Sequence, residues 1–267
     1  MNFFERIGVV RDIPSLEPAV VFQVGGFPIA SSTMMILLIA IMTFLFSVLV
    51  IRKFKVEPVS KVQIVVEMLY EQVVGLIDQI TQSKKHAEKI FPLVGAMLVY
   101  LTISNLIGVI PGLTEITFNN APVFRAPTSD FNTTFGLSLG AIIVLQFISI
   151  KDYGVFGHLG KFFKIKEVYQ GFKKGISAGF VSLIDFFVGV LDIIGEIAKV
   201  VSLALRLFGN MYAGNVLMVI IFGAVSVGLP ALWLGMNIFV GGLQAMVFAA
   251  LVAAYYMLAI KPESEEE

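Results

Sequence analysis

Residues 176–222 read ISAGFVSLIDFFVGVLDIIGEIAKVVSLALRLFGNMYAGNVLMVIIF. The run is far longer than the roughly 20 apolar residues a helix needs to cross a hydrocarbon core of about 30 Å. Yet it carries Asp185, Asp192, Glu196, Lys199 and Arg206 among Ile, Leu, Val and Phe. A charge at mid-membrane costs at least about 2.5–3.5 kcal/mol on insertion scales, so several in one run need a reason. Asp185, Asp192, Lys199 and Arg206 fall seven residues apart. Seven residues are nearly two helical turns, so these side chains form one stripe. Glu196, four after Asp192, and Asn210, four after Arg206, join it. From Asp185 to Arg206 the stripe runs roughly 31 Å at about 1.5 Å per residue, enough to lead from a membrane surface to around mid-membrane.

Mutual neutralisation of Asp192, Glu196 and Lys199 is one reading of these charges, and Lys199 and Asp185 can snorkel. Arg206 resists that reading. It stays charged, lies between Leu205 and Leu207, and no acid follows it before Glu263. Gln244 can share a hydrogen bond with it but cannot neutralise it. The implied partner is a carboxylate on another subunit.

The whole composition agrees with a membrane chain. Of 267 residues, 57% are apolar and 14% charged, against about 25% charged in soluble domains, and the mean hydropathy is +0.90. A disordered chain, a nucleic-acid binder and a soluble α/β enzyme are excluded. There is no Cys, so no disulfide, thiolate nucleophile or Cys-built metal site exists. His86 and His158 are too few for a His-built metal centre, and no cofactor is expected.

Hydropathy predicts an all-α integral membrane protein with five spans: 31–52, 90–111, 131–150, the run 176–222, and 229–260. Residues 1–30 form an extracytoplasmic segment without the basic and apolar pattern of a signal peptide. Within 58–80, Val62, Val65, Val66, Leu69, Val73, Leu76 and Ile77 recur at helical spacing, with Lys61, Glu67, Glu71 and Asp78 on other faces. That is an amphipathic helix suited to the interface or to a partner. Net charge is zero, so its distribution decides the orientation. Arg52, Lys53, Lys55 and Lys61 follow the first span; Lys84, Lys85 and Lys89 precede the second; Lys151, Lys161, Lys164, Lys166, Lys173 and Lys174 follow the third. The loop 111–130 has only Arg125 among its basic residues. The positive-inside rule places the Lys-rich loops and the acidic tail 261–267 in the cytoplasm and the N-terminus outside. No internal repeat is present, and the chain reads as one membrane domain.

Four blocks carry a resemblance. Residues 202–214, SLALRLFGNMYAG, and 238–245, IFVGGLQA, resemble the signatures of subunit a of the F-type ATP synthase, in its bacterial form. Residues 104–112, SNLIGVIPG, and 126–134, APTSDFNTT, agree with that family, and the likeness covers about 58–256. The resemblance implies a stator subunit beside a rotating ring of hairpin c subunits, each with one mid-membrane carboxylate, held by the subunit b peripheral stalk in the bacterial plasma membrane. It implies two offset half-channels for H⁺, or for Na⁺, and a long tilted hairpin formed by 176–222 and 229–260. Arg206 matches the essential arginine, Gln244 its glutamine, and Asp192 a carboxylate of the cytoplasmic half-channel. The spacing of seven and four adds Glu196 to that half-channel, with Asp185 nearer its mouth. Asn105, Asp130 and Asn132 fall toward the outer half-channel. Two positions depart from the pattern: Asn215, nine after the arginine, and Asn237, seven before the glutamine, stand where relatives carry titratable or other polar groups. Asn cannot exchange a proton, but it orders water or ligates a cation through its carbonyl oxygen. The chain has no phosphate loop, so no phosphoryl chemistry is expected in it. A self-contained transporter would show inverted repeats or broken helices, and a hydrolase a His-Glu metal motif or a nucleophile elbow; the sequence has neither.

Overall fold

The computed structural model describes residues 15, 17–52, 54–55, 60–110, 117–118, 121–122, 124–162, 173, 176–224 and 228–260. The first fourteen residues, Lys53, the start of the amphipathic segment at Pro58, Pro111, Lys164, Lys166, Lys174 and the acidic tail lie outside the described residues. Among the described residues six α-helices carry the chain: α1 Ser31–Ile51, α2 Lys61–Thr81, α3 Lys84–Val109, α4 Phe131–Phe162, α5 Ile176–Ala224 and α6 Leu229–Ala259. Among the described residues, Ser31–Ile51, Lys84–Val109, Phe131–Asp152 and Leu229–Ala259 are long and apolar enough to cross a membrane. The charged α5 runs for 49 residues and is not one of these four. The architecture is that of an all-helical membrane protein, to which two short antiparallel ribbons are added.

The first ribbon, β1 Val20–Val24 with β2 Phe27–Ala30, falls in the N-terminal segment, where the hydropathy pattern gives no element. Its strand residues are mostly β-branched or aromatic, and Gly25 and Gly26 take φ of 58° and 86°. That is the positive-φ pair a two-residue hairpin turn requires. A second, minimal ribbon joins β3 Thr117–Phe118 to β4 Ala121–Pro122.

The chain divides into two compact units, Met1–Thr134 with Leu205–Ala253, and Phe135–Ala204 with Ala254–Glu267. In the first, α1 buries Ser31, Ser32, Met35 and Ile39 and exposes Leu37, Ile41, Phe44, Leu45 and Leu49. In water such a surface would aggregate, whereas acyl chains solvate it as well as other side chains do. The Ser60 side chain caps α2 by accepting from the Gln63 amide. Val74, Ile77 and Thr81 are buried on one α2 face, while Val62, Val65, Met68 and Leu69 remain exposed. Tyr70 meets Phe91 of α3 edge to face at 4.5 Å. Gln82 leaves α2 in the left-handed conformation, φ 52°, and α3 starts two residues later. The tight link winds the polar turn Lys84–Lys89 into α3, so this helix starts six residues before the expected span at 90.

In the second unit, Leu145, Leu203, Ala204 and Tyr256 are fully buried. The helix begun at Phe131 breaks at Gly154, with φ 72° and ψ 164°, a conformation only glycine adopts without strain. The apolar part therefore ends at Asp152, two residues past the expected boundary. Beyond the break, buried His158 meets Ser149 Oγ through Nδ1 at 3.0 Å, and Ser149 Oγ donates to the Ala259 carbonyl at 2.9 Å.

Candidate functional site

Arg206 lies in the first unit, on α5, exposed between Leu205, also exposed, and buried Leu207. Its guanidinium makes no ion pair or side-chain hydrogen bond among the described residues. One turn on, Asn210 donates through Nδ2 to Gln244 Oε1 of α6 at 2.6 Å. Gln244 is buried, and its Nε2 has no hydrogen-bond partner among the described residues. The Gln244 oxygen is thus turned to Asn210, and the arginine keeps its donors.

Beyond this pair, Val109, Asn210, Met211, Gly214, Asn215, Asn237 and Val240 line a cavity of about 10 Å³, the room one water needs. Three carboxamides, Asn210, Asn215 and Asn237, line this space, and among the described residues its lining has no titratable side chain. Gly214 makes this possible. A Cβ there would come within 3.0 Å of Asn237 Oδ1, and its carbonyl accepts from Trp233 Nε1 at 3.3 Å. Neither Gly214 nor Trp233 is a candidate from the sequence, because only the packing of α5 on α6 sets Gly214 against Asn237. Phe208 stacks on Tyr212, with centroids 5.3 Å apart, and meets Phe131 edge to face at 5.8 Å.

The remaining outer candidates divide. Asn105 is fully buried; its Nδ2 donates to the Gly241 carbonyl at 2.8 Å and its Oδ1 has no partner among the described residues. Asp130 is buried and heavily used. Its Oδ2 accepts from Ser32 Oγ at 2.6 Å and from Thr133 Oγ1 at 3.2 Å, and its Oδ1 accepts from the Asn132 amide at 3.0 Å. It caps α4 and ties α4 to the start of α1. The Asn132 side chain is exposed and does not line the carboxamide cavity. Arg125 donates to the Glu17 carbonyl at 2.9 Å and to the Ser129 carbonyl at 3.0 Å. Burial pushes its guanidinium below the ordinary arginine range, while Asp130 and Tyr212 push it back up.

The second unit holds the other charges of α5. Asp185 is half-buried and Asp192 exposed. Glu196 and Lys199 form an ion pair at 2.6 Å, with about a fifth of each side chain exposed. Gln146 of α4 donates through Nε2 to the second Glu196 oxygen at 2.9 Å. The Lys199 ammonium sits 5.4 Å from the centroid of the Tyr255 ring on α6. Neither Gln146 nor Tyr255 is a candidate from the sequence, although Gln146 is the one carboxamide in the inner half of the third span, between Leu145 and Phe147.

Among the described residues no cluster of His, Cys, Asp and Glu could hold a metal ion. The chain matches the family model described as ATP synthase A chain over residues 32–257. A subunit a of the ATP synthase of Desulforamulus reducens is 30% identical over 243 residues, covering 88% of this chain and 81% of that protein. One of Propionigenium modestum, named sodium ion specific, is 32% identical over 240 residues, covering 87% of this chain and 74% of that one. One of Staphylococcus aureus is 28% identical over 252 residues, with 90% and 95% covered. With apolar helices of crossing length and a family match over most of its residues, the chain belongs to the ATP synthase subunit a family, a multi-pass membrane component of the ion-transporting sector of the synthase.

Proposed function

We propose that this chain is the stator of a rotary membrane motor. It crosses the bilayer five times with the N-terminus outside, and α5 and α6 act as a long tilted hairpin against the c-ring, with the subunit b stalk holding the stator still. The observation that carries this reading is Arg206: a side chain that stays charged, in an apolar helix, exposed and without a counter-ion among the described residues. A ring carboxylate facing lipid is neutral, because desolvation disfavours its charge. Beside a guanidinium the anionic form is favoured. Arg206 therefore discharges each arriving ring site and stops ions from passing between the half-channels without rotation. The membrane potential supplies about 2.3 kcal/mol per charge per 100 mV. Asp192 receives the ion on the cytoplasmic side, with Asp185 nearer the mouth. On the outer side the ion meets the carboxamides of Asn215 and Asn237 and the polar side chains of Asn105 and Asn132. Asp130 serves there mainly by capping α4, because its oxygens are already occupied.

In inverted vesicles holding the assembled synthase, Arg206→Ala should abolish ATP-driven ion uptake while ring and stalk still co-purify. Arg206→Lys should fail as well, since a desolvated lysine can lose its proton and lacks the planar fork. Full uptake by either variant would overturn the assignment.

The ion has a second reading, Na⁺ in place of H⁺. Two observations favour it: a relative named sodium ion specific, and a cavity lined by three carboxamides with no titratable group among its described lining residues. Stimulation of uptake by millimolar Na⁺ at alkaline pH, insensitive to a protonophore, would support Na⁺. Collapse of uptake by the protonophore would support H⁺.

A further inference from the structure

We propose that Glu196 is not an ion carrier but the fixed countercharge of Lys199, and that Gln146 and Tyr255 are the positioning residues that hold the pair. The inference rests on the reading of this chain as an ion-translocating stator.

Both Glu196 oxygens are engaged by groups that only donate. Oε1 takes the Lys199 ammonium at 2.6 Å and Oε2 the Gln146 amide at 2.9 Å. A carboxylate that shuttles an ion must release one of these bonds at every step. Glu196 instead has the geometry of an anion built into a network. The ammonium also lies over the Tyr255 ring, 5.4 Å from its centroid, and the ring face favours a cation. Three helices, α4, α5 and α6, thus converge on one ion pair within the second unit. Asp192, four residues before Glu196 on the same helix, is exposed and has no side-chain partner among the described residues, which leaves it available to a mobile ion.

The arrangement answers an electrostatic problem. Lys199 lies seven residues after Asp192 and seven before Arg206. Uncompensated, its positive charge would repel any cation approaching through Asp192. Glu196 cancels that charge locally, and the Gln146 bond keeps its carboxylate from swinging toward Asp192 and competing for the ion.

The two roles predict opposite patterns in ATP-driven uptake by inverted vesicles, where the cytoplasmic face meets the medium. If Glu196 is a countercharge, Glu196→Gln leaves Lys199 bare, and the half-saturating ion concentration should rise about tenfold. That is the effect of one charge at about 10 Å in an effective dielectric of about 20. For H⁺ the pH of half-maximal uptake falls by about one unit. Lys199→Gln should shift affinity the other way. The double variant Glu196→Gln with Lys199→Gln should return close to the wild-type affinity, and in each variant the affinity should change more than the maximal rate. Gln146→Leu should give a smaller shift in the direction of Lys199→Gln. Amounts of assembled complex are measured for each variant, so that loss of assembly is not read as loss of affinity. A double variant as impaired as Glu196→Gln, or a Lys199→Gln shift of the same sign as Glu196→Gln, would overturn the proposal. The stator reading is tested separately by Arg206→Ala, whose full uptake would sink it whatever the Glu196 variants do.

Discussion

At Asp130, one carboxylate collects three hydrogen bonds from Ser32, Asn132 and Thr133. Its charge also offsets the burial of Arg125. Asp130→Asn replaces one acceptor oxygen by a donor, which must then face donors, and leaves Arg125 desolvated without its countercharge. The expected cost is about 1–3 kcal/mol, read as a lower unfolding temperature of the detergent-solubilised complex. Conservative chemistry at the carboxamide cavity should act on flux instead. Asn215→Leu or Asn237→Leu should slow ion flux by more than the loss of a helix–helix hydrogen bond explains, about 0.6 kcal/mol in membranes. Asn215→Glu should be tolerated, because a carboxylate also offers the oxygen acceptors that the cavity uses. Flux in vesicles matched for assembled complex checks these variants; wild-type rates in both Leu variants would remove these residues from the path.

Packing between elements turns on glycines. α5 and α6 approach closely where Gly214 meets Asn237, and a methyl there would lie 3.0 Å from Oδ1. Alanine raises helix propensity by about 1 kcal/mol over glycine, and the amide end can give way by a few tenths of an ångström. Gly214→Ala should therefore assemble at least as well as wild type yet conduct more slowly. Gly214→Val should close the cavity and stop flux, measured as ATP-driven uptake per assembled complex. Gly108 is tighter still: its Cβ would fall 2.6 Å from Ala126 Cβ. Gly108→Ala forces the end of α3 away from the segment before α4, at a cost of about 1–3 kcal/mol, visible as lower abundance and a lower unfolding temperature. Neither glycine was legible as a contact in the sequence. Glycine in a membrane helix is common, and only the facing side chain gives it meaning.

Over the whole molecule, α1 exposes Leu37, Ile41, Phe44, Leu45 and Leu49, and basic residues gather in alternate loops. The natural absence of cysteine makes topology directly measurable. Ser15→Cys should react with an impermeant thiol reagent added outside intact cells, and Lys151→Cys only after the cytoplasmic face is exposed. Reaction of both from one side would refute the proposed orientation.

The sequence by itself determined the elements that depend on local composition. Hydropathy and helical period require only the identity of neighbours along the chain, and that is why α1, α2 and α6 could be read directly. The resemblance of residues 202–214 and 238–245 likewise needed nothing but the order of residues. Tertiary structure decided which polar side chains use one another. Gln244 turns to Asn210, Asp130 to Ser32 across 98 positions, and Gln146 to Glu196 across 50. Nothing in the spacing of these residues ties the members of each pair together, because the helices that bring them within 3 Å are placed by packing. The reason is physical: in an apolar interior each polar group must find its partner within hydrogen-bonding distance, and the partner is chosen by which helix faces it, not by which residue precedes it.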